Sequence, residues 1–279
     1  MSGPSLIPVT RACAGFTHHD ALALVAGLGL LAAVQLTSMV NARSAGDRAV
    51  CLDNLRQLSR AWSLYAEDNR GAFPGNLDGG SNLSLTNATW AVGWLTLDTA
   101  TPDNTNWMAL MQSQLGRYAV SRKIYKCPAD NSLGPVPGGL RQPRVRSISM
   151  NSYVGQRSGP YTSGYSQFRN SNEIPEVPPA QLFVFLDERE DSLNDGAFFI
   201  DMQGFDPSNP NAYVIVDYPG DRHNRSGTLS FADGHAETWR WQDPRTAPIH
   251  RNQLTLGVAS PGNPDVARLQ SVSSRRTAN

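Results

Sequence analysis

This 279-residue chain is short of charge. Only 17% of its residues are Asp, Glu, Lys or Arg, and 24 basic side chains offset 24 acidic ones. No net field is left to steer a polyanion, and no basic run or nucleic-acid motif stands out, so nucleic acid is not an expected partner. The signatures of common enzyme chemistry are also missing: no Gly-x-Ser-x-Gly elbow, no phosphate loop, no His-Glu-x-x-His pair, no Cys-x-x-Cys. A catalytic role is therefore not expected. Cysteine is scarce, at three residues (Cys13, Cys51 and Cys127), an odd number that is awkward in an oxidising compartment. Gly (24) and Pro (19) are plentiful instead, with many Asn, Ser and Thr, which fits a loop-rich β domain outside the cytoplasm.

The strongest local signal lies near the N-terminus. A polar leader ends in Ala14-Gly15-Phe16-Thr17, a lone acid follows at Asp20, and an apolar run extends from Ala21 to Val34 and trails off to Val40. A secretory signal places its apolar core before the cleavage site and loses it, whereas this order suits a cut made before a retained apolar stretch. Residues 21–40 carry no charge, and ~20 helical residues cover a hydrocarbon layer of roughly 30 Å, so a membrane span is expected there. Gly27, Gly29, Gln35, Thr37 and Ser38 dilute it. The competing reading is a secretory signal cut near Ser38 to Ala42, which leaves a secreted protein.

From Asn41 to Asn69 the spacing predicts an amphipathic helix. Cys51, Leu52, Leu55, Leu58, Trp62 and Tyr65 recur every three or four residues, with Arg48, Asp53, Arg56, Arg60 and Glu67 between them. Asp68-Asn69-Arg70-Gly71 and Pro74 supply the stop. Read as one helix, Asp20 to Asn69 is about 75 Å long, and its apolar half calls for lipid or for copies of itself.

These residues resemble the N-terminus of type IV pilins and type II secretion pseudopilins. Cys51-Leu-Asp-Asn-Leu-Arg-Gln-Leu, Tyr65-Ala-Glu-Asp-Asn, Tyr125-Lys-Cys-Pro-Ala-Asp and Ser149-Met-Asn-Ser-Tyr extend the resemblance to a pseudopilin subfamily. So does His223, followed after nine residues by Asp233-Gly234-His235. The resemblance covers about residues 12–247. It implies cleavage between Gly15 and Phe16 by a prepilin peptidase, methylation of Phe16, and a registering role for Asp20 opposite a neighbouring N-terminus. The family usually has Glu at that position, and apolar residues where this chain has His18 and His19.

The fold class implied is α+β: a long N-terminal α-helix, membrane-embedded in its first half, carrying a globular antiparallel β-sheet head. Residues 1–15 are the leader, 16–69 the helix with its span at about 21–40, 70–247 the head, and 248–279 a disordered tail. The function implied is that of a structural subunit of a secretion or pilus-like filament. The protein would sit once through a bacterial inner membrane with its head in the periplasm or on the cell surface. Its partners would be itself, other pseudopilins, the peptidase, an inner-membrane assembly platform and lipid. An anchored ligand-binding protein that does not polymerise is the main alternative, and a secreted enzyme a third.

Cleavage before Phe16 would remove Cys13. Cys51 and Cys127 are then either disulfide-bonded or two buried thiols. In the head, strands are expected at Trp90–Leu97, Val145–Val154, Gln181–Leu186, Gly196–Met202 and Ala212–Val216, and a helix at Trp107–Tyr118. The clearest feature is a hairpin of Thr228–Phe231 and Ala236–Trp241 about a two-residue Asp233-Gly234 turn. His223 is expected to hydrogen-bond Asp233 and clamp that hairpin, with a transition-metal site or an acid–base role, together with Asp233 and His235, as the alternatives. Asp187, Glu188, Asp191 and Asp195, with Glu190, form an oxygen-rich cluster that reads as an exposed acidic loop or as a calcium site. Trp239 and Trp241 share a strand face, as core or as a sugar or partner site.

Overall fold

The computed structural model describes residues 17–77, 85–155, 162–248 and 256–277. Gly15 and Phe16, the expected cleavage site, lie outside the described residues. The chain divides into two units, residues 1–43 and 44–279, and the boundary falls inside the first helix, α1 (His18–Asp68).

In the first unit α1 begins with a capping box. Thr17 Oγ1 accepts the Asp20 amide, and the Asp20 carboxylate accepts the Thr17 amide and hydroxyl at 2.9 and 2.7 Å. These bonds from Thr17 hold the Asp20 carboxyl below its ordinary value. The expected membrane span is not found: among the described residues no helix is long and apolar enough to cross a membrane. The single-pass inner-membrane placement falls with the span.

The second unit takes the rest of α1 into its core, so the head starts at Ser44 rather than at residue 70. Cys51, Leu55, Leu58 and Trp62 are buried along the stripe that the spacing predicts, while Arg48, Asp53, Arg56, Arg60 and Glu67 stay exposed. Arg70 (φ 56°) and Gly71 (φ 84°) turn the chain into left-handed geometry, and the Gly71 amide closes the last turn on Ala66 O at 2.8 Å.

The sheet is mixed, which corrects the antiparallel expectation. β3 (Ile148–Asn151), β4 (Phe183–Asp187), β5 (Ala197–Phe198), β7 (Ser226–Phe231) and β8 (Ala236–Arg240) run in the order β5-β3-β4-β7-β8. Three of the four neighbouring pairs are antiparallel, and at one edge β5 runs parallel to β3. The cause is the loop after β4, which carries the chain past β3 and returns it on the far side. β4 reads Phe-Val-Phe-Leu-Asp without alternation and is buried throughout, as befits a central strand covered on both faces. One core joins Leu55, Leu58 and Trp62 of α1 to Ile148, Met150, Val184 and Phe185. The other gathers Phe183, Leu229, Phe231, Trp239, Trp241 and Leu269.

Two small hairpins flank the sheet: β1 (Leu133–Val136) with β2 (Leu140–Pro143), and β6 (Val214–Ile215) with β9 (Val258–Ala259). The predicted helix after Trp107 shortens to α2 (Trp107–Gln112). The strand expected at Trp90–Leu97 does not form. Trp90 is buried instead, with its indole donating to Gly196 O at 3.0 Å and its ring edge-on to Phe185.

The tail is ordered from residue 256 to 277, contrary to expectation. Asn263 caps α3 (Pro264–Ser271) by accepting the Asp265 and Val266 amides, and Val266 and Leu269 are buried. The sequence pattern hid this because the buried set comprises only two apolar side chains, while polar Asn263, Asp265 and Gln270 carry the rest of the anchoring.

Candidate metal centre

Four side chains from distant segments converge beneath α1. Cys51 comes from α1, Cys127 from the loop after a 3₁₀ turn at Arg122–Tyr125, Asp187 ends β4, and His223 lies just before β7. One ligand-type atom from each lies within 4.8 Å of every other, and all four residues are buried. Such a cluster could hold a metal ion.

Local structure fixes each group. His223 precedes two left-handed non-glycine residues, Asn224 (φ 58°) and Arg225 (φ 57°), which turn the chain sharply into β7. Its Nε2 lies 3.2 Å from Cys127 Sγ, and its Nδ1 is buried without a hydrogen-bond partner. Cys51 Sγ lies 3.1 Å from Thr228 Oγ1 on β7. Ser147 Oγ donates to Asp187 Oδ1 at 2.8 Å and accepts the Cys127 amide at 2.9 Å, tying two members of the cluster together. Arg222 Nη1 donates to Asp187 Oδ2 at 2.8 Å, and its Nη2 to Glu190 at 2.7 Å. Gly220 packs so closely that a Cβ there would stand 2.3 Å from Asp187 Oδ2.

The electrostatics are those of a dry site. A hydrogen bond with Cys51, then burial, then the Asp187 charge push the Cys127 thiol far above its ordinary range. Burial pushes Asp187 up, against Arg222 and Ser147. For His223 burial acts downward, but the hydrogen bond and charge of Cys127 carry the imidazole above its ordinary value. Asp187 is held by Arg222 and Ser147, and His223 Nδ1 has no hydrogen-bond partner, so Asp187 does not orient His223 as the acid of a Cys–His–Asp relay would. Beside the cluster opens a cavity of about 620 Å³, lined by Trp107, Arg122, Lys123, Lys126, Arg144 and Cys127 itself among others.

Of the two alternatives for Cys51 and Cys127, the structure has buried free thiols and not a disulfide. Other sequence expectations are corrected here. His223 does not clamp Asp233. The Asp233 carboxylate accepts instead from the His235 amide at 3.1 Å and meets His235 Nδ1 at 2.5 Å, on the surface. The His235 ring stacks on Phe231 at 4.3 Å. The hairpin turn is longer than two residues. Gly234 (φ 89°) donates its amide to Phe231 O and Phe231 donates to His235 O, a bulged turn that needs glycine at the left-handed position.

The calcium acids do not share a centre. Glu188 accepts from Ser149 and Ser192, Asp191 takes a bidentate pair from Arg189, and Asp195 accepts the Ala197 amide. Only Asp187 enters the converging cluster, where two thiols and an imidazole suit a softer ion than calcium. Trp239 and Trp241 are core residues, their indoles bonded to Glu237 and Gly220 O. The sequence held the signal for the cluster in scattered form. Each of its four residues stands out, but chain order sets Cys51 beside Cys127, His223 beside Asp233 and Asp187 beside the acids, and only the sheet regroups them. Arg222, Ser147 and Thr228, which support the cluster, carry no sequence signal of their own.

Comparison with known protein families, curated proteins and solved structures finds no match to this chain. The pseudopilin resemblance rests on the motifs quoted above.

Proposed function

We propose that this chain is a structural subunit of a pseudopilin-type fibre, polymerising through the N-terminal half of α1 with further copies of itself. The observation that carries this reading is the exposure of Leu22, Leu24, Val25, Leu28, Leu30 and Leu31. They are 58–69% exposed and, at 3.6 residues per turn, lie on every side of the helix. Apolar patches of this kind mark interaction surfaces, and burying each such side chain is worth about 1.5–3 kcal/mol. A rod that is apolar all round is satisfied by several neighbours at once, as in a helical fibre. In this reading the work is mechanical. Asp20, held by Thr17 in the single chain, would exchange that partner for the N-terminal amine of an adjacent subunit.

The test uses the full chain expressed with a prepilin peptidase. N-terminal sequencing should find a start at Phe16, and electron microscopy should find fibres. Leu28→Glu with Leu31→Glu should leave dispersed subunits, and Asp20→Asn should lower incorporation without lowering expression. A chain that starts at Phe16 yet sediments as a monomer would sink the proposal and favour a binding module that does not polymerise.

A further inference from the structure

We propose that Cys51, Cys127, Asp187 and His223 bind one zinc ion, which fastens α1 to the sheet. The argument is independent of the assembly reading. A tetrahedral zinc with Zn–S of about 2.3 Å and Zn–N or Zn–O of about 2.0–2.2 Å sets its ligand atoms about 3.3–3.8 Å apart. The four atoms here already lie within 4.8 Å of one another, so small side-chain rotations close the site. Cys₂His with a carboxylate is a borderline-soft donor set that favours zinc over magnesium or calcium.

The surroundings are those of a built site. The four groups are wholly buried, and the His223 Nδ1 has no hydrogen-bond partner, an uncommon state for a buried polar atom. Ser147 holds Asp187 and the Cys127 backbone in place, as outer-shell groups do around metal ligands. Charge also closes. Zinc displaces one proton from each thiol, and a divalent ion with two thiolates and one carboxylate leaves a single negative charge. Arg222, at 2.8 Å from Asp187, offsets it. The cavity beside the cluster is lined by Cys127, the ligand nearest to solvent-filled space.

The ligands are supplied by positions 51, 127, 187 and 223. Zinc would therefore join the helix, the loop after the 3₁₀ turn, the end of β4 and the approach to β7. All four belong to the unit that begins at Ser44.

The experiment titrates the reduced, metal-stripped full chain with Zn(II) and with Co(II). Expected are one metal per chain, release of about two protons, and a thiolate-to-cobalt charge-transfer band. Cys127→Ser should about halve the band, and Cys51→Ser with Cys127→Ser should abolish it. Ser147→Ala, which removes no ligand, should weaken zinc binding about 10–100-fold. Wild-type spectra decide the matter even if a variant misfolds. Cobalt binding without the thiolate band, no stoichiometric uptake, or a Cys51–Cys127 disulfide in the purified chain, seen as a mass two protons short, would each overturn the site.

Discussion

Gly220 shows how one residue without a side chain sets the position of a charged one. Its amide donates to Asp187 O at 2.6 Å, and a Cβ would meet Asp187 Oδ2 at 2.3 Å. Gly220→Ala should therefore push Asp187 off Arg222 and cost about 1–3 kcal/mol, read as a lower urea midpoint. An unchanged midpoint would mean that the segment 217–221 yields freely. Tyr153 is a second case. Its hydroxyl donates to Ile200 O at 3.1 Å and accepts the Thr162 amide at 3.1 Å. Burial pushes the phenol from its ordinary 10.0 up to about 12, against the bonds from Thr162. A raised value means that the native state keeps a proton the unfolded chain has lost. Its contribution to stability is whole below pH 10 and disappears as pH rises through about 12. Tyr153→Phe should cost about 0.5–1.5 kcal/mol at neutral pH and flatten the decline between pH 10 and 12, followed by urea titration at each pH. An alkaline decline as steep in the variant as in wild type would place its origin elsewhere.

At the level of elements, α3 was the least legible and is directly testable. Leu269 is buried in the core that holds Phe231 and Trp239, and Arg268 lies over the Trp239 ring at 3.6 Å. Asp265 accepts the Gln242 and Asp243 amides just beyond β8. Leu269→Ala should cost about 2–5 kcal/mol, far more than truncation of a loose tail would. A cost under ~0.5 kcal/mol would show that the helix is dispensable. The sequence announced elements that combine a strong period with apolar bulk. β4 showed as Phe-Val-Phe-Leu, β7 and β8 showed through Asp233-Gly234, and the second half of α1 showed through Leu55, Leu58 and Trp62. It was silent where polar bonds replace apolar burial, as at Asn263. It misled at Trp90–Leu97, where β-prone residues pack as a buried loop. At the candidate centre every ligand was visible and none was correctly grouped, because the grouping is a property of strand order and not of spacing.

At the scale of the whole molecule, the boundary at Arg43 separates an apolar helical segment from a folded body that contains its own cores. A chain that begins at Ser44 should keep the denaturation midpoint of the full chain and, on the proposed assembly through α1, sediment as a monomer where the full chain does not, both measurable on one preparation by urea titration and sedimentation. Loss of the fold would show that the first unit supports the second.

The distance along the chain between α1 and its sheet partners has a bearing on biosynthesis. Cys51 meets Thr228 across 177 positions, and Ser59 Oγ donates to Ser230 Oγ across 171. At roughly 5–20 residues per second, a ribosome takes on the order of ten seconds or more to supply β7 after α1 has emerged. β3 and β4, which cover Leu55, Leu58 and Trp62, are made earlier, so β7 adds the last partners of this helix face, Thr228 for Cys51 and Ser230 for Ser59. The newborn chain thus passes through a window in which the Cys51 and Ser59 side of its first helix lacks its partners and is open to chaperones or misassembly, and that window ends when the penultimate strand of the sheet arrives.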